Sequence, residues 1–279
     1  NNPERQDFGM NITKICRYIA LLLSLLLLGG CTLFEFEPME EVQQKEEDKT
    51  QLAVQSAEVE PETMVTDDLV FERTMATDSG VVLASYEAHL PQFAEDGAKS
   101  GVFQNINEFY QQEFEAFSAD CDWIFLTLQE ELGAGWNNIT DERQPVTAEF
   151  GYEMFTLGEQ YLSIVRDYTY TDTAGRQSVY YFAEVFDLAT GWRLSFDTLF
   201  GDNTADAKTA VIEGLAGWCE ENSLAFDTRE TISADAVVEE FAMTDDEIIF
   251  CLEPFALSAD DAQGRLVRLP LSGFEQWLP

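Results

Sequence analysis

The sequence predicts an α+β fold, in which antiparallel sheet packs against one long and one shorter helix. Three observations predict it. Phe103, Ile106, Tyr110, Phe114, Phe117, Cys121, Ile124, Leu128 and Leu132 recur at steps of three or four, the spacing of one helix face. Short runs with apolar alternation follow, separated by Gly and Asp turns, as in an antiparallel meander. A second helical run then occupies residues 205–223. A strand pair, a helix, a meander, a helix and further strands form an α+β order.

Residues 1–30 read as a signal peptide. Lys14 and Arg17 precede an almost unbroken apolar run, Tyr18 to Leu28, which stops at Gly29-Gly30-Cys31. A basic flank, a short apolar stretch and small residues at a cleavage point define a secretory signal. The run is too short to span a bilayer, which takes roughly 20 residues. Leu28-Gly29-Gly30-Cys31 resembles a bacterial lipobox, so cleavage falls between Gly30 and Cys31 and lipid attaches to the Cys31 thiol. An ordinary cleaved signal and an uncleaved anchor are the alternatives. Met10 is the expected start.

Residues 31–67 are rich in Glu, Gln and Pro with little apolar periodicity. That composition predicts a disordered, self-repelling tether. The folded part is then expected over 68–135, a hairpin plus the long helix, and 136–279, the meander, helix and strands of the same module. Within the first piece, residues 68–77 and 81–90 are strand-like, joined at Asp78-Ser79-Gly80, and Pro91 should end the second. The long helix, 103–132, closes at Gly133-Ala134-Gly135. Residues 147–156, 161–171 and 178–188 form the meander, and Thr190-Gly191 turns into a further extended run at 192–196. On 161–171, Leu162, Ile164, Arg166, Tyr168 and Tyr170 share one face. Asp202 or Thr204 should cap the second helix, with Val211, Ile212, Leu215, Trp218 and Cys219 inward. A short helix at 234–239, a hairpin of 240–243 with 247–252, a strand at 265–271 and a helical turn at 272–278 complete the chain.

Charge narrows the function. The chain has 15 Lys+Arg against 53 Asp+Glu, net −38. Without residues 1–30, which hold three bases and two acids, 12 bases face 51 acids, net −39. Such a surface repels nucleic acid and anionic headgroups and attracts metal ions or basic proteins. Simple solubility also accounts for it.

Catalytic motifs are sparse. His89 is the only histidine, whereas a histidine-containing zinc site draws on two or three. It is expected as a surface or hairpin residue. No CxxC, calcium-loop, GxxxxGK[ST] or GxGxxG pattern occurs, so no metal site, catalytic residue or cofactor is assigned. Glu220/Glu221, Glu239/Glu240 and Asp245/Asp246 read as solvated faces and turns. Tyr168, Tyr170, Tyr180, Tyr181 and Phe182 could stack on sugars, but cross-strand packing is the commoner use. Beyond Cys16 and Cys31, Cys121, Cys219 and Cys251 remain. Three buried thiols are expected; if one disulfide forms, Cys219–Cys251 is the pair.

Several motifs together resemble one family. Pro91, a Gly/Asp loop and Asn105-Ile106-Asn107 open the long helix. Phe186-Asp187-Leu188-Ala189-Thr190-Gly191 forms a turn, and Asp197-Thr198-Leu199-Phe200 precedes the second helix. Glu253-Pro254-Phe255, Gly264 and Leu269-Pro270 follow. In order and spacing these resemble the extracytoplasmic module of RsiV-type anti-sigma factors and of the accessory part of PdaC-type peptidoglycan deacetylases, over residues 69–278. The family's glycine-glycine-alanine-histidine turn is replaced here by Thr173-Ala174-Gly175-Arg176-Gln177-Ser178. The resemblance implies a non-catalytic binding or sensing module. With the lipobox, it leads to the expectation of a lipid-anchored protein on the outer face of the cell membrane. Its expected partners are the membrane, through the anchor, and a basic envelope protein or cell-wall glycan, with no nucleic acid. A carboxylate-based enzyme or accessory factor acting on cell-wall glycan is the alternative, and an assembly lipoprotein without a specific ligand is a third reading.

The anchor is directly testable. Cys31→Ala should shift the protein from the membrane to the soluble fraction, or leave an uncleaved precursor. Continued labelling of the variant by a fatty-acid probe would contradict the lipobox reading.

Overall fold

The computed structural model describes residues 64–95, 97–226, 233–258 and 263–278, all within one compact unit, Ser56–Pro279. Residues 1–30, with Gly30 and Cys31, and most of the tether lie outside the described residues. Strands β1 (Val65–Ala76), β2 (Val82–Phe93), β3 (Val146–Leu157), β4 (Tyr161–Thr171) and β5 (Gln177–Asp187) form a five-stranded sheet in sequence order. Strands β6 (Phe241–Met243), β7 (Glu247–Leu252) and β8 (Arg265–Pro270) form a second, three-stranded sheet. Helix α1 (Ser100–Leu132) covers one face of the first sheet, and α3 (Thr204–Glu221) covers the second sheet from the far side. The α+β class is as expected from the sequence. Strand β1 starts three residues inside the segment read as tether.

Helix α1 fixes the topology. Strands β2 and β3 run parallel, Ala84 beside Val146 through Ala88 beside Phe150, and parallel neighbours need a long crossover. The 33 residues of α1 supply it. Phe103, Ile106, Tyr110, Phe117, Cys121, Phe125 and Leu128 are its buried stripe, and Gly133 ends it at φ 74°. The N-terminal half packs on Leu90, Phe93, Leu162, Ile164, Phe186 and Leu188. The C-terminal half packs on Met75, Leu83, Ala84, Tyr86, Ala88 and Ala148. The helix therefore follows β2 from Phe93, which meets Phe103, to Tyr86, which meets Phe125, and its N-terminal half also reaches β4 and β5. Alanines at 84, 88 and 148, all fully buried, leave room for its aromatic side chains.

Alternation sorts the meander between two neighbours. On β4 and β5, Leu162, Ile164 and Phe186 face α1, whereas Val165 and Ala183 pack against Ala242, Ile249 and Cys251 of the second sheet. The Ser163 hydroxyl joins the two sheets by accepting the Met243 N–H at 2.8 Å. The other face of the second sheet, with Phe241, Met243, Ile248, Phe250 and Leu252, packs on Val211, Leu215 and Cys219 of α3. Burial on both faces explains why β7 reads as a continuous apolar run.

Several expectations need correction. Strand β2 continues through Pro91 to Phe93. Its ladder to β3 stops at Ala88, so beyond that point only the β1 side is paired, and a residue without an N–H is accommodated. The run 192–196 makes only one bridge, Phe186 to Arg193. The Ser195 hydroxyl accepts the Thr198 N–H at 3.1 Å and caps α2 (Phe196–Phe200). Neither Asp202 nor Thr204 caps α3; Asn203 holds that position without a side-chain bond. Ile212 and Trp218 do face inward, half-buried against the core that Val211, Leu215 and Cys219 join. The helix expected at 234–239 is the single turn α4 (Ala234–Val237), and short 3-10 turns stand at the C-terminal end. Cys121, Cys219 and Cys251 are buried thiols and no disulfide joins them. Cys219 packs on the α3 side of the second sheet and Cys251 on the opposite side, so the Cys219–Cys251 pair cannot meet.

The turn after β5 clamps the start of α1. Asp187 accepts the Ala189 N–H at 2.8 Å and the Thr190 hydroxyl at 2.9 Å, and Asn105 donates to the Thr190 carbonyl at 2.8 Å. Gly191 has φ 76°, and a Cβ there would stand 2.2 Å from the Val102 carbonyl oxygen. Gly191→Ala should lower unfolding stability by more than about 2 kcal/mol through strain and displacement of α1. Urea denaturation measures this; an unchanged midpoint would contradict the clamp.

Candidate functional site

Two charged constellations and one bare surface are candidates. The first is buried beneath α1. Arg166 of β4 and Glu184 of β5 are 4% and 1% exposed, at positions where the alternation places apolar residues. The Arg166 guanidinium bonds Glu184 and, at 2.8 Å, Glu113 of α1. The Tyr110 hydroxyl donates to the other Glu184 oxygen at 3.1 Å. Rings of Phe182, Phe150 and Tyr110 surround the guanidinium at 5.4, 5.8 and 5.9 Å. Burial works against the cation, but Glu184 and Glu113 outweigh it and hold the Arg166 pKa above its ordinary value. Burial and Glu184 raise that of Tyr110. An arginine that cannot release its proton, locked between two carboxylates, is suited to positioning α1 and not to proton transfer.

The second constellation guards the edge of β5. Glu240 accepts the Ala183 N–H at 2.9 Å and an Arg193 N–H at 3.2 Å. Arg193 also reaches the Ala183 carbonyl at 3.5 Å. Burial lifts the Glu240 pKa to about 7, against the pull of Arg193 and with the help of Glu184. Of the acidic pairs noted in the sequence, Glu220, Glu221, Glu239, Asp245 and Asp246 are exposed and Glu240 alone is drawn inward. The tyrosine-rich strands do not form one platform. Tyr181 packs toward the second sheet. Tyr168 packs on Phe150 at 4.8 Å with the rings tilted by 31° and meets Phe117 of α1 at 6.4 Å. This is core packing.

The bare surface is the face of β1, β2 and β3 opposite α1. The second sheet covers β4, β5 and the Phe155 end of β3, and among the described residues the remainder of this face is left to solvent. Register aligns Glu72 with Glu87 and Glu87 with Glu149, so three exposed glutamates cross three adjoining strands in one row. By alternation Asp68, Val70, Thr74, Ser85, His89, Thr147 and Glu153 share the face, with no lysine or arginine among them. His89, as expected, is a surface residue, half-buried, 2.8 Å from Glu87 and 3.4 Å from Asp68. The Glu87 bond, opposed by burial and helped by Asp68, raises its pKa. The Tyr152 hydroxyl donates to Asp68 at 2.6 Å. Like charges placed directly opposite one another cost stability, so this row is not a packing device. Sequence reading missed it because the three glutamates lie in three separate segments. Among the described residues, no three His, Cys, Asp or Glu side chains are grouped to hold a metal ion, and no helix is long and apolar enough to cross a membrane.

No family model matches the chain, and no curated protein matches it in sequence. Solved structures do resemble it. A member of the DUF3298 family from Bacteroides fragilis NCTC 9343 is 12% identical with TM-score 0.47, covering 77% of this chain and 95% of that one. A DUF3298 family protein from Pseudomonas aeruginosa PAO1 is 7% identical with TM-score 0.49, covering 76% and 93%. Both scores lie below 0.5, so the likeness carries no functional assignment.

Glu240 gives a pH signature. An unfolded glutamate titrates near 4.5 and the folded one at about 7. Between these values the native chain holds a proton that the unfolded chain has released, so this contribution to stability is lost as pH rises from 4.5 to 7. Glu240→Gln should remove that slope. Urea unfolding at pH 5 and pH 8 should show the wild type losing stability relative to the variant; parallel losses would refute the assignment.

Proposed function

We propose that this protein is a lipid-anchored extracytoplasmic lipoprotein whose folded module binds a basic partner in the cell envelope without catalysis. The observation that carries the binding reading is the row Glu72–Glu87–Glu149 on an uncovered sheet face. Lysine or arginine side chains laid across the row would relieve its self-repulsion, so binding would recover free energy that folding leaves unused. The net charge of −38 adds long-range steering, which raises association rate more than it slows dissociation. The anchor and its outer location rest on the motif ending at Cys31, and the finer resemblance to RsiV-type and PdaC-type modules rests on the order of short motifs. The alternative, a carboxylate enzyme acting on cell-wall glycan, would use a carboxyl of raised pKa. Glu240 has that property, but its bonds to Ala183 and Arg193 favour a structural role.

A basic protein captured from envelope extract, alongside several unrelated proteins of similar positive charge, tests the reading. Replacing Glu72, Glu87 and Glu149 together by Gln should slow association with the captured protein about tenfold at low salt and leave the fold equally or more stable. Raising salt should slow the wild type in the same way, since screening acts over about 8 Å at physiological ionic strength. Tight, salt-independent binding, or unchanged association of the variant, would contradict the proposal. Equal binding of every basic protein would reduce it to bulk electrostatics.

A further inference from the structure

We infer that the basic partner docks as an extended segment adding a sixth strand to the outer edge of β1, beside α1. The inference rests on the binding reading above and gives it a place and a geometry. Strand β1 is an edge of the first sheet. Irregularities mark both its ends, between Val65 and Asp67 and between Met75 and Ala76. The nine residues between, Asp67 to Met75, pair in continuous register with β2, a run of about 30 Å. Among the described residues, no strand or loop bonds its backbone from the other side. Natural sheets blunt such edges with proline, a central bulge or charged side chains; this run has no proline or central bulge, and its charges, Asp67, Asp68, Glu72 and Arg73, admit only a guest of complementary charge. An edge of this kind is a template for an incoming strand.

The two faces of the edge differ, and the difference specifies the guest. Toward α1, Leu69 and Phe71 are half-buried, and Phe114 and Phe117 of α1 meet Phe71 edge-on at 5.7 and 5.3 Å. Arg73, bonded to Asp122, closes this shelf with its guanidinium 5.0 Å from the Phe125 ring. Toward solvent stand Val70, Glu72 and Thr74, with Asp68 half-buried beside Tyr152 and His89, and the glutamate row continues behind them. Val70 is 45% exposed. A strand added here would set alternate residues against the aromatic shelf and the others against Asp68 and Glu72. The matching segment alternates apolar and basic residues. A second copy of the chain fits poorly, because it would bring two sets of Asp67, Asp68 and Glu72 together on molecules of net charge −38 each. The chain's own residues 32–63, with ten acids and two lysines, carry the wrong sign as well.

Synthetic peptides test this on the full chain. The probe is an octapeptide of strictly alternating lysine and valine. It is compared with a block octapeptide, all its lysines preceding all its valines, and with two forms of the alternating peptide, N-methylated at the odd or at the even residues. A strand's N–H groups alternate in direction, so methylation in one register should weaken binding tenfold or more and methylation in the other should not. The bound alternating peptide should slow amide hydrogen exchange within residues 68–75. If all four peptides bind equally and the triple Gln variant weakens them all, the acidic face is the site and strand addition is wrong. If none binds at low salt, the binding reading fails with it. Protection confined to β8 or α1 would also overturn the inference.

Discussion

The contact on which this architecture depends is the buried guanidinium of Arg166, held between Glu184 on the neighbouring strand and Glu113 on α1. Removing Arg166 and Glu184 from water, with Glu113 left a quarter exposed, is costly, and their attraction returns that cost only in one geometry. Such a cluster adds little net stability but strongly penalises other placements of α1. Tyr110, one turn from Glu113, contributes a further bond, so the N-terminal half of the helix is fixed on β4 and β5. Its remaining length then follows β2 toward Leu83.

That placement decides what stays uncovered. Helix α1 occupies one face of the first sheet, and the second sheet occupies β4, β5 and the Phe155 end of β3 on the other. The crossover from β2 through α1 to β3 leaves β1 at an edge with its polar face to solvent. The acidic row and the strand edge are thus consequences of incomplete layering. They adjoin because Glu72 belongs to both. Elsewhere the open edge of β5 is closed by Glu240, Arg193 and the Arg193 bridge, whereas among the described residues no other segment bonds the outer edge of β1.

Local pattern made the elements legible. The aromatic steps along α1 gave the helix and its end at Gly133, and the alternation of β4 gave its limits, residues 161–171, as observed. What could not be read was pairing. Nothing local in β2 or β3 states that they lie parallel, because that follows from where α1 docks. Register then aligns Glu72, Glu87 and Glu149, which are far apart in sequence. Arg166 did stand on the apolar face with Leu162 and Ile164, and Glu184 stands likewise between Phe182 and Phe186. Two opposite charges at inward positions of successive strands were the available signal of a buried pair. The Cys219–Cys251 pair failed for the same reason as the pairing: which face of β7 meets α3 is a tertiary matter.

The most direct test is a double-mutant cycle on the buried cluster, read by equilibrium urea unfolding of wild type, Arg166→Met, Glu184→Leu and the double variant. If the cluster positions α1, Arg166→Met leaves Glu184 charged and unpaired in the interior and should cost about 3–5 kcal/mol. The double variant should then regain most of that loss, giving a coupling of several kcal/mol. Additive losses, with no recovery in the double variant, would show that Arg166 and Glu184 act independently and would remove the constraint from which the rest of the structure is argued.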